Sequence, residues 1–377
     1  MARIVYISKY PPLEGGIAAK TYWLAQALGG HNHDIHIVTD RKDADKVHTF
    51  TAATSIPNHA NVTVHRPPQP MPWHIPHGEH RALSFLDMTL KVIEREKTDF
   101  IAAGYLVPYG LIAYLASKIT GLPYVLQHGG SDIKKFVEGG LWSNLFRKVF
   151  LGAECVITDA DHKAKIEKWN ARSCMVLPYV PDPSVFSPAI REKRKRPVLA
   201  IIGKANYHWE HKGWHRVIDI WSKMGEGFEF IVVSQGVGIE RFKAYVRGHL
   251  GNRVDWQPFL PPWEMPSLLR SVDVLFHFEA DLPFPIFSNL VVEALFCGTP
   301  IISDQEDLVN RYQNYGLNLT RWLPLVLCVD KDNPSRAAER IKDFLVNHVI
   351  PTDLQVPSEY EQYISAHEGV FKRYIKR

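Results

Sequence analysis

Cysteine is scarce in this chain of 377 residues: Cys155, Cys174, Cys297 and Cys328 are scattered, and no two are spaced C-x-x-C. Most sit in or beside apolar runs, which implies reduced core thiols and a cytosolic setting. An excess of charge of one sign is missing too. A net charge of +4 is too small for wrapping nucleic acid, although it suits an anionic small substrate or a loose contact with acidic lipid. The opening MARIVYISKY has an apolar run far too short for a signal peptide and reads as a first strand. Long apolar runs are almost absent. One stretch, Phe100 to Ser117, carries no charge over a length that just spans a bilayer. Gly104, Pro108 and Gly110 interrupt its centre, so a buried strand, a turn and a buried helix account for it better.

The chain is too long for one ordinary core, and about 150 residues per domain points to two. Hydrophobic residues at 46% against 22% charged fit a soluble globular protein. The first half opens with strand RIVYIS, loop KYPPLEGG, a helix and strand DIHIVT. Ile17, Thr21, Leu24 and Leu28 recur on one face of that helix, and Gly29-Gly30 stops it. From Pro197 the rhythm restarts with strand PVLAIIG, loop KANYHWEHK, a helix from Gly213 and strand EFIVVS. Trp214, Val217, Ile218 and Trp221 form the buried stripe of that helix, and Gly225 ends it. Each half therefore begins with a βαβ unit.

Further strands are DFIAAG, PYVLQHG and CVITDA in the first half, and RVDWQ, DVLFHFE, PIISD and LVLCV in the second. Such alternation gives parallel sheets covered on both faces, hence an α/β fold of two Rossmann-like domains facing across a cleft. Ligands gather there beyond the carboxyl ends of the strands, where the strand order reverses. The charged run SPAIREKRKRP, residues 187 to 197, reads as a linker. The expected division is 1–187 for the first domain, 188–350 for the second, and 351–377 for a C-terminal helix packing back on the first.

Five stretches, PPLEGGI, LPYVLQHGGSDI, LPYVPDPSVFSP, GKANYHWEHKG and FSNLVVEALFCGTPIIS, stand in this order along most of the chain. Together they resemble the retaining nucleotide-sugar glycosyltransferases of family 4, which have the GT-B fold. The resemblance implies that Lys204 and Lys212 hold the donor's diphosphate, where the family usually has Arg and Lys. Lysine at 204 gives up bidentate geometry. It also implies that the Gly15-Gly16 loop lies over the phosphates from the opposite domain, that Phe287, Ser288 and Asn289 line the donor site, that Glu293 binds the ribose, and that His128 lies beside the transferred sugar.

The residue chemistry agrees with those roles. Two cations near a leaving diphosphate gain strength as its charge grows. Ser288 can cap an apolar helix whose free N–H groups suit a diphosphate. An ionised Glu293 one turn further can accept two hydrogen bonds from a vicinal diol. Glycines at 15 and 16 permit a sharp turn and close approach to a ligand. Asp132 either orients acceptor or loop, or caps a helix. One residue departs from the family: Pro285 stands where a glutamate usually contacts the donor sugar, with Glu279 and Asp281 as the nearest carboxylates to replace it.

Two stretches imitate metal sites. His74, His77 and His80 in WHIPHGEH have no fixed geometry and no evident fourth ligand, and read as a loop for the acceptor. Asp159-Ala-Asp161 imitates the D-x-D motif of metal-dependent transferases but matches a strand-to-helix turn. His208, His211 and His215 are too close to Lys212 to count as a separate cluster. No convincing pair of carboxylates marks a glycosidase. The expected partners are a nucleoside-diphosphate sugar as donor substrate, no cofactor or metal, and a carbohydrate, lipid-linked or small-molecule acceptor. Peripheral membrane contact stays open through LWSNLFRKVF, where Leu141, Leu145 and Val149 share a face beside Trp142 and Phe146. Alternatives on the same architecture are an epimerase, a phosphorylase, a metal-dependent transferase or a non-catalytic sugar-nucleotide-binding protein.

Overall fold

The computed structural model describes residues 1–41, 46–50, 55–68, 77–138, 140, 142–169, 172–189, 194–279, 281–282, 287–347 and 358–374. Two parallel sheets organise them. The first contains β1 (Arg3–Ile7), β2 (Asp34–Val38), β3 (Val62–His65), β4 (Phe100–Gly104), β5 (Tyr124–Gln127), β6 (Cys155–Thr158) and β7 (Cys174–Val176), in the order β3-β2-β1-β4-β5-β6-β7. The second contains β8 (Val198–Lys204), β9 (Glu229–Gln235), β10 (Val254–Gln257), β11 (Val274–His277), β12 (Ile301–Ser303) and β13 (Val326–Cys328), in the order β10-β9-β8-β11-β12-β13. The order reverses between β1 and β4 and again between β8 and β11, which opens a crevice at the carboxyl end of each sheet.

Helices on both faces explain why central strands are apolar throughout rather than alternating. Ile4, Val5, Tyr6 and Ile7 of β1 are all buried, as are Val198, Leu199, Ala200 and Ile201 of β8. Trp214, Val217, Ile218 and Trp221 are buried along helix Trp214–Met224, which ends at Gly225. The uncharged stretch from Phe100 resolves into β4, a wide turn at Leu106–Gly110 and helix Leu111–Thr120. Among the described residues no helix is long and apolar enough to cross a membrane. No disulfide joins the four cysteines, all of which are among the described residues, and Cys155 and Cys297 are buried.

The two sheets do not stand apart. A single buried cluster joins Ile4, Tyr6 and Ile35 of the first to Val198, Leu275 and Ile301 of the second. Trp263 from the second half packs on Tyr22 and Phe50 of the first, with ring centroids 5.2 and 5.8 Å away. Helix Glu359–Tyr374 returns to the first sheet: Phe371 lies 5.4 Å from Phe100, and Glu368 bonds the rings of His31 and His33, each at 3.1 Å.

Candidate active site

The loop after β1 enters helix Gly16–Gly30 through Gly15, whose φ of +123° is one that side chains rarely tolerate. This turn carries the loop across the cleft. A Cβ on Gly15 would lie 3.3 Å from Lys204 Nζ, at the end of β8, and one on Gly16 would lie 3.3 Å from Asn289 Nδ2. Asn289 opens helix Asn289–Phe296 of the second domain and donates to the Gly16 carbonyl at 2.9 Å. Four of the expected donor-site residues thus meet, two from each domain.

Lys212 closes the loop after β8 and joins them, its ammonium donating to the Lys204 carbonyl at 2.9 Å and lying 4.9 Å from the Trp214 ring centroid. Burial pulls the Lys212 ammonium down to about 8, helped by Lys204 and opposed by Glu14. Sequence reasoning did not single out Glu14. Its Oε1 lies 2.5 Å from Lys204 Nζ, and its side chain is only 9% exposed. Burial pushes the Glu14 carboxyl up, while Lys204, His48 and Lys212 pull it down. A signal was present in PPLEGG, an acid beside the glycine turn, but its cationic partner lies 190 residues away.

Ser288 occupies the N-cap position with extended backbone, but its side chain makes no capping bond. Instead the Tyr312 hydroxyl takes the Ser288 N–H at 3.2 Å and donates to its carbonyl at 3.0 Å. Phe287 packs against Tyr312 and Tyr315, with centroids 5.1 and 5.5 Å apart. The expectation of an ionised Glu293 also needs correcting. Glu293 is 5% exposed, accepts from the Tyr179 hydroxyl at 3.1 Å, and is pushed by burial up to about 8, so at neutral pH it holds its proton. Tyr179 lies within LPYVPDPSVFSP, a stretch whose position was noticed but whose tyrosine was not.

Neither expected replacement for the missing glutamate is free. Glu279 gives one oxygen to His277 and the other to Arg311, each at 2.7 Å, and its side chain is nearly solvent-free. Asp281 is bonded by Arg216 at 3.0 Å. Both carboxylates are spent on structural pairs because the loop between β11 and the next helix must anchor to helix Leu308–Asn314 and helix Trp214–Met224. Pro285 lies outside the described residues.

His128, beyond β5, is buried with both ring nitrogens engaged: Nδ1 accepts from the Gly130 N–H at 2.9 Å and Nε2 meets Thr158 Oγ1 at 2.5 Å. Burial lowers its ring to about 3, so it is neutral. Asp132 orients the loop, accepting from the N–H groups of Leu106, Gly129 and Ile133. Asp159 caps helix Ala160–Lys168 by accepting from the His162 N–H at 2.9 Å, the strand-to-helix role expected of it. His128, Asp159 and His162 place potential metal ligands within 4.8 Å of one another. Their atoms are largely occupied, since His162 Nδ1 also bonds Asp159 Oδ1 at 2.8 Å. His74 and the side chain of His77 lie outside the described residues. On helix Ser143–Gly152 the buried face is Phe146, Val149 and Phe150, whereas Leu145, expected beside Val149, is exposed with Trp142 and Leu151.

Residues 15–165, from the glycine turn into helix Ala160–Lys168, match the family described as glycosyl transferase 4-like domain. The chain carries a glycosyl transferase 4-like domain. This transferase domain and the second sheet together have the GT-B fold. Sucrose-phosphate synthase from Thermosynechococcus elongatus is similar to 99% of this chain and 97% of its own, with a TM-score of 0.67 at 16% identity. The catalytic domain of starch synthase IV from Arabidopsis thaliana, bound to ADP and acarbose, covers 100% and 99%, with a TM-score of 0.66 at 11% identity. HepE from Anabaena in complex with UDP-glucose covers 100% and 96%, with a TM-score of 0.60 at 15% identity. No curated protein has a matching sequence.

Proposed function

We propose that this glycosyltransferase moves a sugar from a nucleoside-diphosphate sugar to an acceptor hydroxyl with retention, in the synthesis of a glycan, polysaccharide or glycoconjugate. The observation that carries the reading is the meeting of Gly15 and Gly16 with Lys204, Lys212 and Asn289 across the cleft. Two ammonium groups, a glycine turn and an open helix start are what a diphosphate needs. The complexes of starch synthase IV with ADP and of HepE with UDP-glucose support the donor class.

In this reading the bond from the anomeric carbon to the phosphate oxygen breaks as the acceptor oxygen bonds to the same face. The acceptor proton passes to the departing phosphate oxygen. The lysines stabilise the charge that develops there, and the closed cleft holds the reactants in line. His128, neutral and doubly bonded, walls the sugar side rather than exchanging protons. Glu293 meets the ribose, either as the acid or after losing its proton to the new hydrogen bonds. An α-linked donor gives an α-glycoside.

Metal independence is part of the proposal, because the lysines supply the countercharge. Excess chelator should leave transfer unchanged, and loss of activity restored by a divalent cation would overturn that part. Peripheral contact with acidic lipid is supported by exposed Leu145 and Leu151 on a helix that also carries Arg147 and Lys148, and by exposed Trp142 just before it. Co-sedimentation with acidic but not neutral vesicles tests it. A thermal-shift screen against UDP, GDP, ADP and TDP sugars tests the donor, with stabilisation expected from one base. The same donor is then followed for transfer, and binding without transfer to any acceptor would favour the non-catalytic reading.

A further inference from the structure

Beside the two lysines proposed to hold a donor's phosphates stands an anion of the protein itself. Glu14 Oε1 lies 2.5 Å from Lys204 Nζ, and the same ammonium donates to the Glu14 carbonyl at 3.3 Å. Lys212 is tied to Lys204 through a 2.9 Å bond and feels the same carboxylate. Among the described residues, His48 also faces Glu14. The arrangement is built rather than incidental: Gly15 takes a φ of +123°, and a Cβ added there would lie only 3.3 Å from the lysine ammonium. The carboxylate belongs to the first domain and the lysines to the second, so the pair also bridges the cleft.

A diphosphate held by Lys204 and Lys212 would meet this carboxylate at contact distance. Two anions with so little water between them repel strongly. We propose that Glu14 is a built-in competitor of the donor: it neutralises the lysines between turnovers, gives them up when a nucleoside diphosphate arrives, and takes them back as the product diphosphate leaves. The inference rests on the diphosphate reading of Lys204 and Lys212. It adds that affinity for the phosphates is deliberately set below what two lysines provide. Product release is eased, because a replacement anion stands tethered beside the lysines at high effective concentration.

The test is calorimetric titration of the wild type, Glu14→Gln and Glu14→Ala with UDP, ADP, GDP and TDP. The tightest of these is then compared with inorganic pyrophosphate and with its own nucleoside, the latter by competition. Removing the competing charge should lower the Kd for diphosphate and pyrophosphate by about tenfold in both variants and leave the nucleoside unchanged. Unchanged or weaker diphosphate binding in both variants overturns the inference while leaving the diphosphate site in place. Equal tightening of nucleoside and diphosphate also overturns it, because a loosened loop rather than a lost competitor would then be responsible. A wild type that binds no diphosphate and no pyrophosphate overturns the diphosphate reading itself, and the inference with it.

Discussion

The Tyr179 hydroxyl donates to Glu293 Oε1 at 3.1 Å, joining residues 114 apart in sequence at the base of the cleft. Behind Tyr179, the Tyr363 ring stands edge-on at 6.4 Å, so helix Glu359–Tyr374 backs the carboxyl that the donor is proposed to meet. The hydrogen bond opposes the burial that raises Glu293. Tyr179→Phe should keep the fold, push the Glu293 carboxyl higher still, and raise donor KM about fivefold, the size of one lost buried hydrogen bond of about 1 kcal/mol. Donor titration of the variant, with circular dichroism to confirm folding, checks it. A donor KM equal to the wild type would mean that Tyr179 serves only packing.

Glu293 makes stability depend on pH in an unusual direction. Unfolded, the carboxyl ionises near its ordinary 4.5; folded, burial raises it to about 8. Between these values the folded state holds a proton that the unfolded state lacks. Its contribution is therefore fully present below about 4.5 and is lost as pH rises towards 8, with a limiting slope of about 1.4 kcal/mol per pH unit. Glu293→Gln should stay folded, show a flatter dependence of the urea midpoint between pH 5 and 8, and gain on the wild type as pH rises. Parallel curves for the two proteins would show that the glutamate is ionised throughout. Transfer falls in Glu293→Gln where the ionised carboxylate meets the ribose, because an amide offers a single acceptor oxygen, and is kept where the acid form does.

Lys212 sets a second pH dependence, of the opposite chemical kind. Its folded value of about 8 leaves it charged at neutral pH and increasingly neutral above. A bound diphosphate favours the ammonium, so affinity should be level below pH 8 and fall by up to tenfold per unit above it. Lys212→Ala should weaken diphosphate binding at pH 7 by about 10- to 100-fold, the scale of one charge-assisted bond, and remove the fall above pH 8. Nucleotide titrations at pH 7, 8 and 9 on both proteins measure this. Turnover unchanged in folded Lys212→Ala protein would remove Lys212 from the diphosphate site.

What the letters disclosed, and what they hid, follows from interaction range. Helix stripes such as Trp214, Val217, Ile218 and Trp221 and apolar runs such as PVLAIIG are local, so strands and helices could be read directly. The edge strands β3 and β7 escaped because VTVH and CMV are three or four residues long and not uniformly buried, leaving too little pattern. Lys204 and Lys212 stood out through motif order. Glu14 and Tyr179 did not, because each acquires its meaning from a partner 190 or 114 residues away. Protonation was hidden for the same reason: the burial that raises Glu293 and the Tyr179 bond that opposes it arise in the folded chain, and no spacing within VVEALFCG expresses them.

Two glycines offer opposite outcomes from one substitution. Gly248 lies inside helix Ile239–Leu250, and a Cβ there would meet nothing within 4 Å. Gly248→Ala should therefore stabilise the second domain by about 0.5–1 kcal/mol through helix propensity, without touching transfer. Gly15 has the φ of +123° that alanine adopts only under strain of about 1–3 kcal/mol, and the added methyl would press on Lys204 Nζ at 3.3 Å. Gly15→Ala, made on the Glu14→Gln background so that no competing carboxylate is withdrawn with the loop, should lower the unfolding midpoint modestly and weaken donor binding much more, because the strain is relieved by backing the loop away from the lysine. Parallel denaturation and donor titration of the two variants separate these effects. Donor affinity preserved in Gly15→Ala would show that the loop need not approach Lys204 for the site to work.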